Sequence, residues 1–115
     1  MSKYRNNEID NFAEVFKALS NPNRLRIFMR LMSCCKKGVT YDANGRICAC
    51  VGELGRDLKI APSTLSHHVK ELRRVGLIHI KRRGQKMECW VEPDVIEGLT
   101  DFLAEGSKWK RALKE

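Results

Sequence analysis

The chain has 115 residues, of which 43% are hydrophobic and 31% charged, with five cysteines and a formal net charge of +8 at neutral pH. This length predicts a single domain over residues 1–115 and excludes a large multidomain enzyme, while the composition excludes a disordered tail or a fibre. No apolar stretch reaches the ~18 residues of a membrane span, and the first residues lack the apolar block of a signal peptide, so we expect a cytoplasmic protein without a membrane partner.

Two amphipathic helices are predicted in the first third of the chain, because apolar residues there recur at spacings of three and four. Residues 1–7 are a candidate frayed end. The apolar face of the first helix comprises Ile9, Phe12, Ala13, Phe16 and Leu19. Asn21 is the expected N-cap of the second helix, and Pro22 fits its first position, where no N–H is needed. The expected inward face of the second helix comprises Leu25, Phe28, Leu31 and Met32.

The middle of the chain predicts two short helices around a tight turn. Residues 38–46 lack a helical period and contain the turn signal Asn44-Gly45, so we expect a loop or a short extended arm there. After residues 47–51, the first short helix has a stripe of Val51, Leu54 and Leu58, with two glycines expected on its exposed side. The second begins at Pro62 and ends at Gly76. Its expected buried stripe is Leu65, Val69 and Leu72.

Two strands and a last helix complete the pattern. We predict strands over residues 77–80 and 87–91, joined by a basic, glycine-containing hairpin tip over 81–86. Pro93 starts the last helix, and residues from about 106 to 115 either extend this helix or fray. Its expected inward residues are Val95, Ile96, Leu99, Phe102 and Leu103. The fold class is therefore mainly α with a small β-hairpin, a winged helix-turn-helix in the order α-α-α-α-β-β-α.

Positive charge is concentrated where a winged helix-turn-helix meets DNA. Residues 63–86 carry seven Lys or Arg against one acid, and so hold +6 of the net +8. Short polar side chains and cations on the second short helix and the hairpin tip can contact phosphates and base edges. The predicted DNA contacts are Ser63, Thr64, Ser66, His67, His68, Lys70, Arg73, Lys81, Arg82, Arg83, Gln85 and Lys86. An ordinary solvated basic face with surface histidines is the alternative interpretation.

Two runs of sequence, FKALSNPNRLRIFMRLM and CACVGELGRDLKIAPSTLSHHVKELRRVGLIHIKRRGQKMECWVEPD, resemble the ArsR/SmtB family of metal- and metalloid-responsive bacterial repressors. The resemblance covers about residues 12–105. It implies a homodimer formed through the first and last helices, binding to a palindromic double-stranded operator, and release when an inducer binds. We expect no enzymatic activity, because the chain has no phosphate-binding glycine loop and no acid or histidine placed beside a cysteine nucleophile.

The cysteines provide a candidate inducer site. In extended backbone Cys48 and Cys50 point to the same side, so both sulfurs can reach one soft ion. Cys34 and Cys35, at the end of the second helix, are the candidate source of the missing ligands. Three thiolates suit As(III) or Sb(III), and four suit Cd(II), Pb(II) or Zn(II). Small buried cysteines without a ligand are the plainer alternative, and we expect Cys89 to be such a core residue.

The family resemblance implies that the second short helix, which begins at Pro62, is the recognition helix. It also implies a cysteine pair at the start of the first short helix, where relatives bind arsenite, cadmium or lead. Cys50 occupies the usual position, but the second position is Gly52 here, and Cys48 lies two residues earlier instead. The last helix has no histidine, so the zinc site of some relatives is not expected. We expect no permanent cofactor and a thiol-bound inducer, As(III) or Sb(III) being favoured over Cd(II) or Pb(II). Redox or sulfide sensing by the same thiols, and a ligand-independent DNA-binding module, are the alternatives.

Overall fold

The computed structural model describes residues 5–33, 39–41 and 47–114, with side chains described for 5–33 and 51–105. The helices are α1 (Asn6–Leu19), α2 (Pro22–Met32), α3 (Val51–Leu58), α4 (Pro62–Arg74) and α5 (Pro93–Lys114). The strands are β1 (Val39–Tyr41), β2 (Ile47–Cys50), β3 (Ile78–Arg83) and β4 (Lys86–Val91). The five predicted helices and the antiparallel hairpin are confirmed. No helix in the described part of the chain is both long and apolar enough to cross a membrane.

The structure adds a second antiparallel pair: β1 lies within residues 38–46, where the sequence predicted a loop or a short extended arm, and β2 directly follows that segment. The four strands form one sheet in the order β1-β2-β4-β3. Strand β2 pairs with β4 in a register that runs from Cys48 opposite Trp90 to Cys50 opposite Glu88. On its other side β2 pairs with β1, from Val39 opposite Ala49 to Tyr41 opposite Ile47.

The local signals at the helix ends act as the sequence predicted. The Asn21 side chain accepts hydrogen bonds from the backbone N–H groups of Asn23 at 2.9 Å and Arg24 at 3.2 Å. This pairs two of the four N–H groups that a helix start leaves without an internal partner. At the end of α4, Gly76 has a φ of +82°, a left-handed conformation that favours glycine.

Helices α3 and α4 meet closely at Gly55. The sequence predicted this residue to be exposed, but the structure buries it. A Cβ at this position would lie 2.8 Å from Leu65 Cδ2 and 3.2 Å from the Ile60 carbonyl oxygen. Only a residue without a side chain therefore lets the two short helices pack at this separation. The turn between them also places Lys59 in the left-handed region, at a φ of +56°.

One hydrophobic core joins α1, α2, α3, α4, α5 and the hairpin. Its most deeply buried side chains are Ile27, Leu31, Leu54, Leu72, Leu77, Ile78 and Cys89. The prediction that Cys89 is a core residue is confirmed, since it is fully buried.

Several apolar residues predicted to point inward are partly exposed in the single chain. On α2, Leu25 and Met32 are 44% and 41% exposed, whereas Phe28 and Leu31 are buried as predicted and Ile27 is buried as well. The apolar residues of α2 surround more than one face of the helix, so spacing alone did not select the buried one. On α1 and α5, Ile9, Phe16 and Leu103 are exposed as well, Leu103 to 60%.

Candidate nucleic-acid interface

Helix α4 presents a polar and cationic face to solvent while its opposite face is anchored in the core. Leu65, Val69 and Leu72 are each at most 3% exposed, as predicted. The exposed residues on the other face are Ser63, Thr64, Ser66, His67, Lys70 and Arg73. The residue before the helix is Ala61, which offers no side-chain cap, and Pro62 occupies the first turn. The backbone N–H groups at this helix start are thus not capped by a side chain, as a phosphate-binding helix start requires.

The prediction that His68 contacts DNA is wrong, because the structure buries this residue to 6% exposure on the core side of α4. Its Nδ1 lies 3.3 Å from Arg24 Nη1, and Arg24 Nε donates to the Ala18 carbonyl oxygen at 2.7 Å. Burial lowers the pKa of His68, and the nearby charges of Arg24 and then His67 lower it further. A neutral His68 can accept the Arg24 hydrogen bond, so these contacts tie α4 to α1 and α2.

A signal for the burial of His68 was present in the sequence. Leu65, His68, Val69 and Leu72 follow the spacing of three, four and seven that defines one helix face. Histidine is polar, however, and a buried polar group needs a hydrogen-bond partner. The partner of His68 is Arg24, which comes from a distant segment, so the spacing alone did not predict the burial.

The hairpin strands are longer than predicted and bring the cations of the tip onto the sheet. Pairing continues to Arg83 opposite Lys86, so the turn consists of Gly84 and Gln85, with Gly84 at a φ of +61°. All residues from Lys81 to Lys86 are exposed, as their predicted role requires. We call this segment the wing.

The charges on these elements are not all available to a polyanion. Arg83 Nε lies 2.8 Å from Glu88 Oε1, so an acid of the neighbouring strand compensates this cation. Arg74 contacts Glu71 at 3.2 Å and Glu14 at 3.3 Å, and these hydrogen bonds, that with Glu71 foremost, raise its pKa. The positive field therefore rests mainly on Lys70 and Arg73 of α4 together with Lys81, Arg82 and Lys86 of the wing.

Two exposed cations beside this surface were not among the predicted contacts. Arg56 lies on α3 and Lys59 lies in the turn that leads to α4. In a helix-turn-helix the first helix crosses the DNA backbone, so cations on α3 and its turn are placed to meet phosphates. The sequence already placed Arg56 in the first short helix and Lys59 in the turn that follows it.

The predicted thiol site lies largely outside the described residues. Cys34 and Cys35 are not described, and for Cys48 and Cys50 the structure describes the backbone of β2 alone. That backbone is extended, which is the condition on which the predicted pairing of the two thiols depends. Among the side chains that the structure does describe, no group of three or more His, Cys, Asp or Glu could hold a metal ion. The thiol site stays a prediction.

Comparison with known proteins identifies the type of domain. Residues 19–81 match a family model described as a helix-turn-helix domain. An uncharacterized HTH-type transcriptional regulator of Bacillus subtilis, YbzH, is 35% identical over 92 residues, which cover 78% of this chain and 92% of YbzH.

Solved structures show the same fold at lower identity. The ArsR family transcriptional regulator RHA00566 superposes with a TM-score of 0.68 at 23% identity, covering 88% of this chain and 97% of the other. The homodimeric winged helix-turn-helix DNA-binding domain Mb0332 of Mycobacterium bovis, a possible ArsR-family regulator, gives a TM-score of 0.62 at 21% identity. This match covers 94% of this chain and 88% of Mb0332. At these identities the likeness is one of fold, and it agrees with the resemblance seen in the sequence.

Proposed function

The chain belongs to the helix-turn-helix family of transcriptional regulators and has the winged-helix fold of ArsR-family members, and from this we propose that it is a dimeric repressor released from its operator by a thiol-binding inducer. The observation that supports DNA binding most directly is the exposed face of α4, polar at its start and cationic beyond, beside a cationic wing. The predicted absence of enzymatic activity agrees with the relatives, which are named as transcriptional regulators.

In the proposed complex, the start of α4 enters the major groove. Ser63, Thr64, Ser66 and His67 are short or planar polar groups that can reach base edges and phosphates there. Lys70 and Arg73 lie further along the same face and meet the flanking backbone. The wing then contacts the adjacent backbone through Lys81, Arg82 and Lys86, with Gln85 at its tip.

The salt dependence of DNA affinity tests this arrangement. Removing one cation that binds a phosphate should reduce the slope of log affinity against log salt by about 0.9. Lys70→Gln and Lys81→Gln should each reduce the slope by about 1.8, because the proposed dimer carries each cation twice. The affinity is measured by fluorescence anisotropy with a duplex from upstream of the gene. Lys17→Gln, on the exposed end of α1 and away from the proposed interface, is the matched control. A slope that changes equally in all three variants would refute the placement of α4 and the wing.

A homodimer through α1 and α5 is proposed because these helices leave apolar side chains uncovered. Ile9 and Phe16 on α1 are each 39% exposed, and Leu103 on α5 is 60% exposed. Burial of such side chains against a second copy contributes about 25 cal/mol for each Å² removed from water. Mb0332, which shares the fold, is a homodimer. Two-fold symmetry would place two α4 helices on two half-sites of a palindromic operator.

The sheet suggests how a thiol-bound inducer could act on the DNA-binding elements. Strand β2 contains Cys48 and Cys50, and α3 begins at the next residue, Val51. The same strand is paired with β4 of the wing hairpin. A ligand that draws the thiols together would therefore strain α3, which sets the position of α4 through the close contact at Gly55. It would strain the wing at the same time. Because such coupling is reciprocal, bound DNA must weaken inducer binding by the same factor.

We favour trivalent arsenic or antimony as the inducer, since three thiolates from Cys48, Cys50 and one of Cys34 and Cys35 would satisfy it. Cys48→Ser and Cys50→Ser should each prevent arsenite from dissociating the DNA complex, with DNA affinity otherwise retained. Cys89→Ala, a core cysteine, is the control and should remain responsive. If Cd(II), Pb(II) or a sulfide donor releases DNA where arsenite does not, the arsenic assignment is wrong. If none of them protects a thiol or changes DNA affinity, the chain is a ligand-independent DNA-binding module.

A further inference from the structure

A cleft separate from the DNA-binding face and from β2 lies between α1, the end of α4 and the start of α5. Its volume is about 470 Å³, within the range of small-molecule sites in proteins. Phe12 and Val15 of α1, Val75 after α4 and Val95 of α5 supply its apolar lining. We propose that this cleft binds a small organic cation, a compound with an apolar body and a protonated amine.

The cleft exists because α5 has a glycine where it faces α1. A Cβ at Gly98 would lie 4.0 Å from Phe12 Cε1, an ordinary contact, so a larger side chain there would extend into the open space. The Phe12 ring is stacked on Phe102 with centroids 4.4 Å apart, which fixes this part of the wall. The apolar surface is therefore preformed, and binding a ligand would not carry the entropic cost of ordering it.

The rim of the cleft has the opposite charge to the protein as a whole. Its described lining residues include three carboxylates, those of Glu8, Glu14 and Asp94, against the single guanidinium of Arg74. Arg74 is already shared between Glu14 and Glu71, at 3.3 and 3.2 Å. The cleft is thus a local acidic site on a chain of net charge +8, which disfavours an anion and attracts a cation.

A second copy of the chain is the other candidate occupant, and the position of the residues argues against it. The exposed apolar residues of α1, Ile9 and Phe16, do not line the cleft, which uses the neighbouring helix face of Glu8, Phe12 and Val15. Leu103 of α5 also lies outside it. The cleft adjoins the exposed apolar surface, since the rings of Phe12 and Phe16 both contact Phe102, but its lining includes none of the three exposed apolar residues.

The test uses three compounds of one shape and different charge, titrated into the folded protein without DNA and followed by amide chemical shifts. Phenethylammonium should bind saturably, 2-phenylethanol should bind about tenfold or more weakly because it lacks the charge, and phenylacetate should not bind. The double variant Glu8→Gln, Asp94→Asn should lower the affinity for phenethylammonium to that of the alcohol. This variant alters only the rim, so the result does not depend on repacking the interior.

Filling the cleft provides the second arm of the test. Gly98→Leu should abolish binding of phenethylammonium, whereas Gly98→Ala, which adds one methyl group in ordinary contact, should retain it. Equal affinity for all three compounds, or an unchanged affinity in both the double variant and Gly98→Leu, would overturn the proposal. A second copy that covers the cleft would show as no binding of any compound, and would overturn it too. Because no DNA is present, these outcomes are independent of the proposed repressor function.

Discussion

A single methyl group added at Gly55 should push α3 away from α4. In Gly55→Ala the new Cβ would lie 2.8 Å from Leu65 Cδ2 and 3.2 Å from the Ile60 carbonyl oxygen. Leu65 is 3% exposed and belongs to the hydrophobic core, so moving its methyl group disturbs core packing. The Ile60 oxygen belongs to the backbone of the turn and can move only if the turn moves. The strain must therefore be relieved by a shift of the helices.

Gly52 makes the magnitude measurable, because a Cβ there would meet nothing within 4 Å. Alanine gains up to about 1 kcal/mol of helix propensity over glycine, and both positions lie in α3. Overpacking an interior site costs about 1–3 kcal/mol. The gain in helix propensity is similar in both variants, so it largely cancels when their free energies of unfolding are compared. Gly55→Ala should therefore be the less stable of the two by about 1–3 kcal/mol.

Urea unfolding followed by circular dichroism gives this difference, at one protein concentration because the stability of a dimer depends on concentration. Operator affinity should fall in Gly55→Ala and remain in Gly52→Ala, since only the former displaces α4. Equal free energies of unfolding for the two variants would refute the close approach of α3 and α4. Equal operator affinities despite a stability difference would refute the link from α3 to the recognition helix.

Two further predictions concern His68 and Leu103. The folded-state pKa of His68 lies below its ordinary 6.5, so the unfolded chain takes up a proton more readily, and stability should fall as pH drops below about 6.5. The His68→Gln side chain cannot titrate but can still accept a hydrogen bond from Arg24. In this variant the loss of stability below about pH 6.5 should disappear from urea unfolding, and an unchanged pH profile would contradict the assignment to His68. Leu103→Glu should turn the dimer into a monomer in sedimentation and weaken operator binding, whereas Met87→Glu, on the wing strand, should leave the dimer intact. A dimeric Leu103→Glu protein would exclude Leu103 from the interface.

The thiol half of the proposal and the DNA half depend on different kinds of observation. The α4 face and the wing are described side chain by side chain, and one predicted contact, His68, is removed by its burial. For Cys48 and Cys50 the structure supplies an extended backbone paired with the wing hairpin, which is a route for coupling but not a ligand set. The inducer response can therefore fail while DNA binding holds, and thiol protection measured without DNA tests the inducer site separately.

Features that depend on neighbouring residues could be predicted from the sequence alone. The Asn21 cap, the helix starts at Pro22 and Pro62, the glycine end at Gly76 and the wing hairpin all followed from local rules. The buried stripe of α4 followed from helical spacing, because one face of that helix is apolar and the other is not. These signals were enough to predict the fold class and the exposure of most of the proposed DNA contacts.

Features whose partners lie far apart in the chain could be seen only in the three-dimensional structure. The pairing of β2 with β4 joins distant segments, the burial of His68 depends on Arg24, and the close approach at Gly55 involves Leu65. The same holds for the cleft, which forms where α1, α4 and α5 meet around the missing side chain of Gly98. Pairing, burial and close approach are relations between segments. A pattern along one segment fixes its own backbone preferences, but the free energy of these contacts depends on which segments the fold brings together.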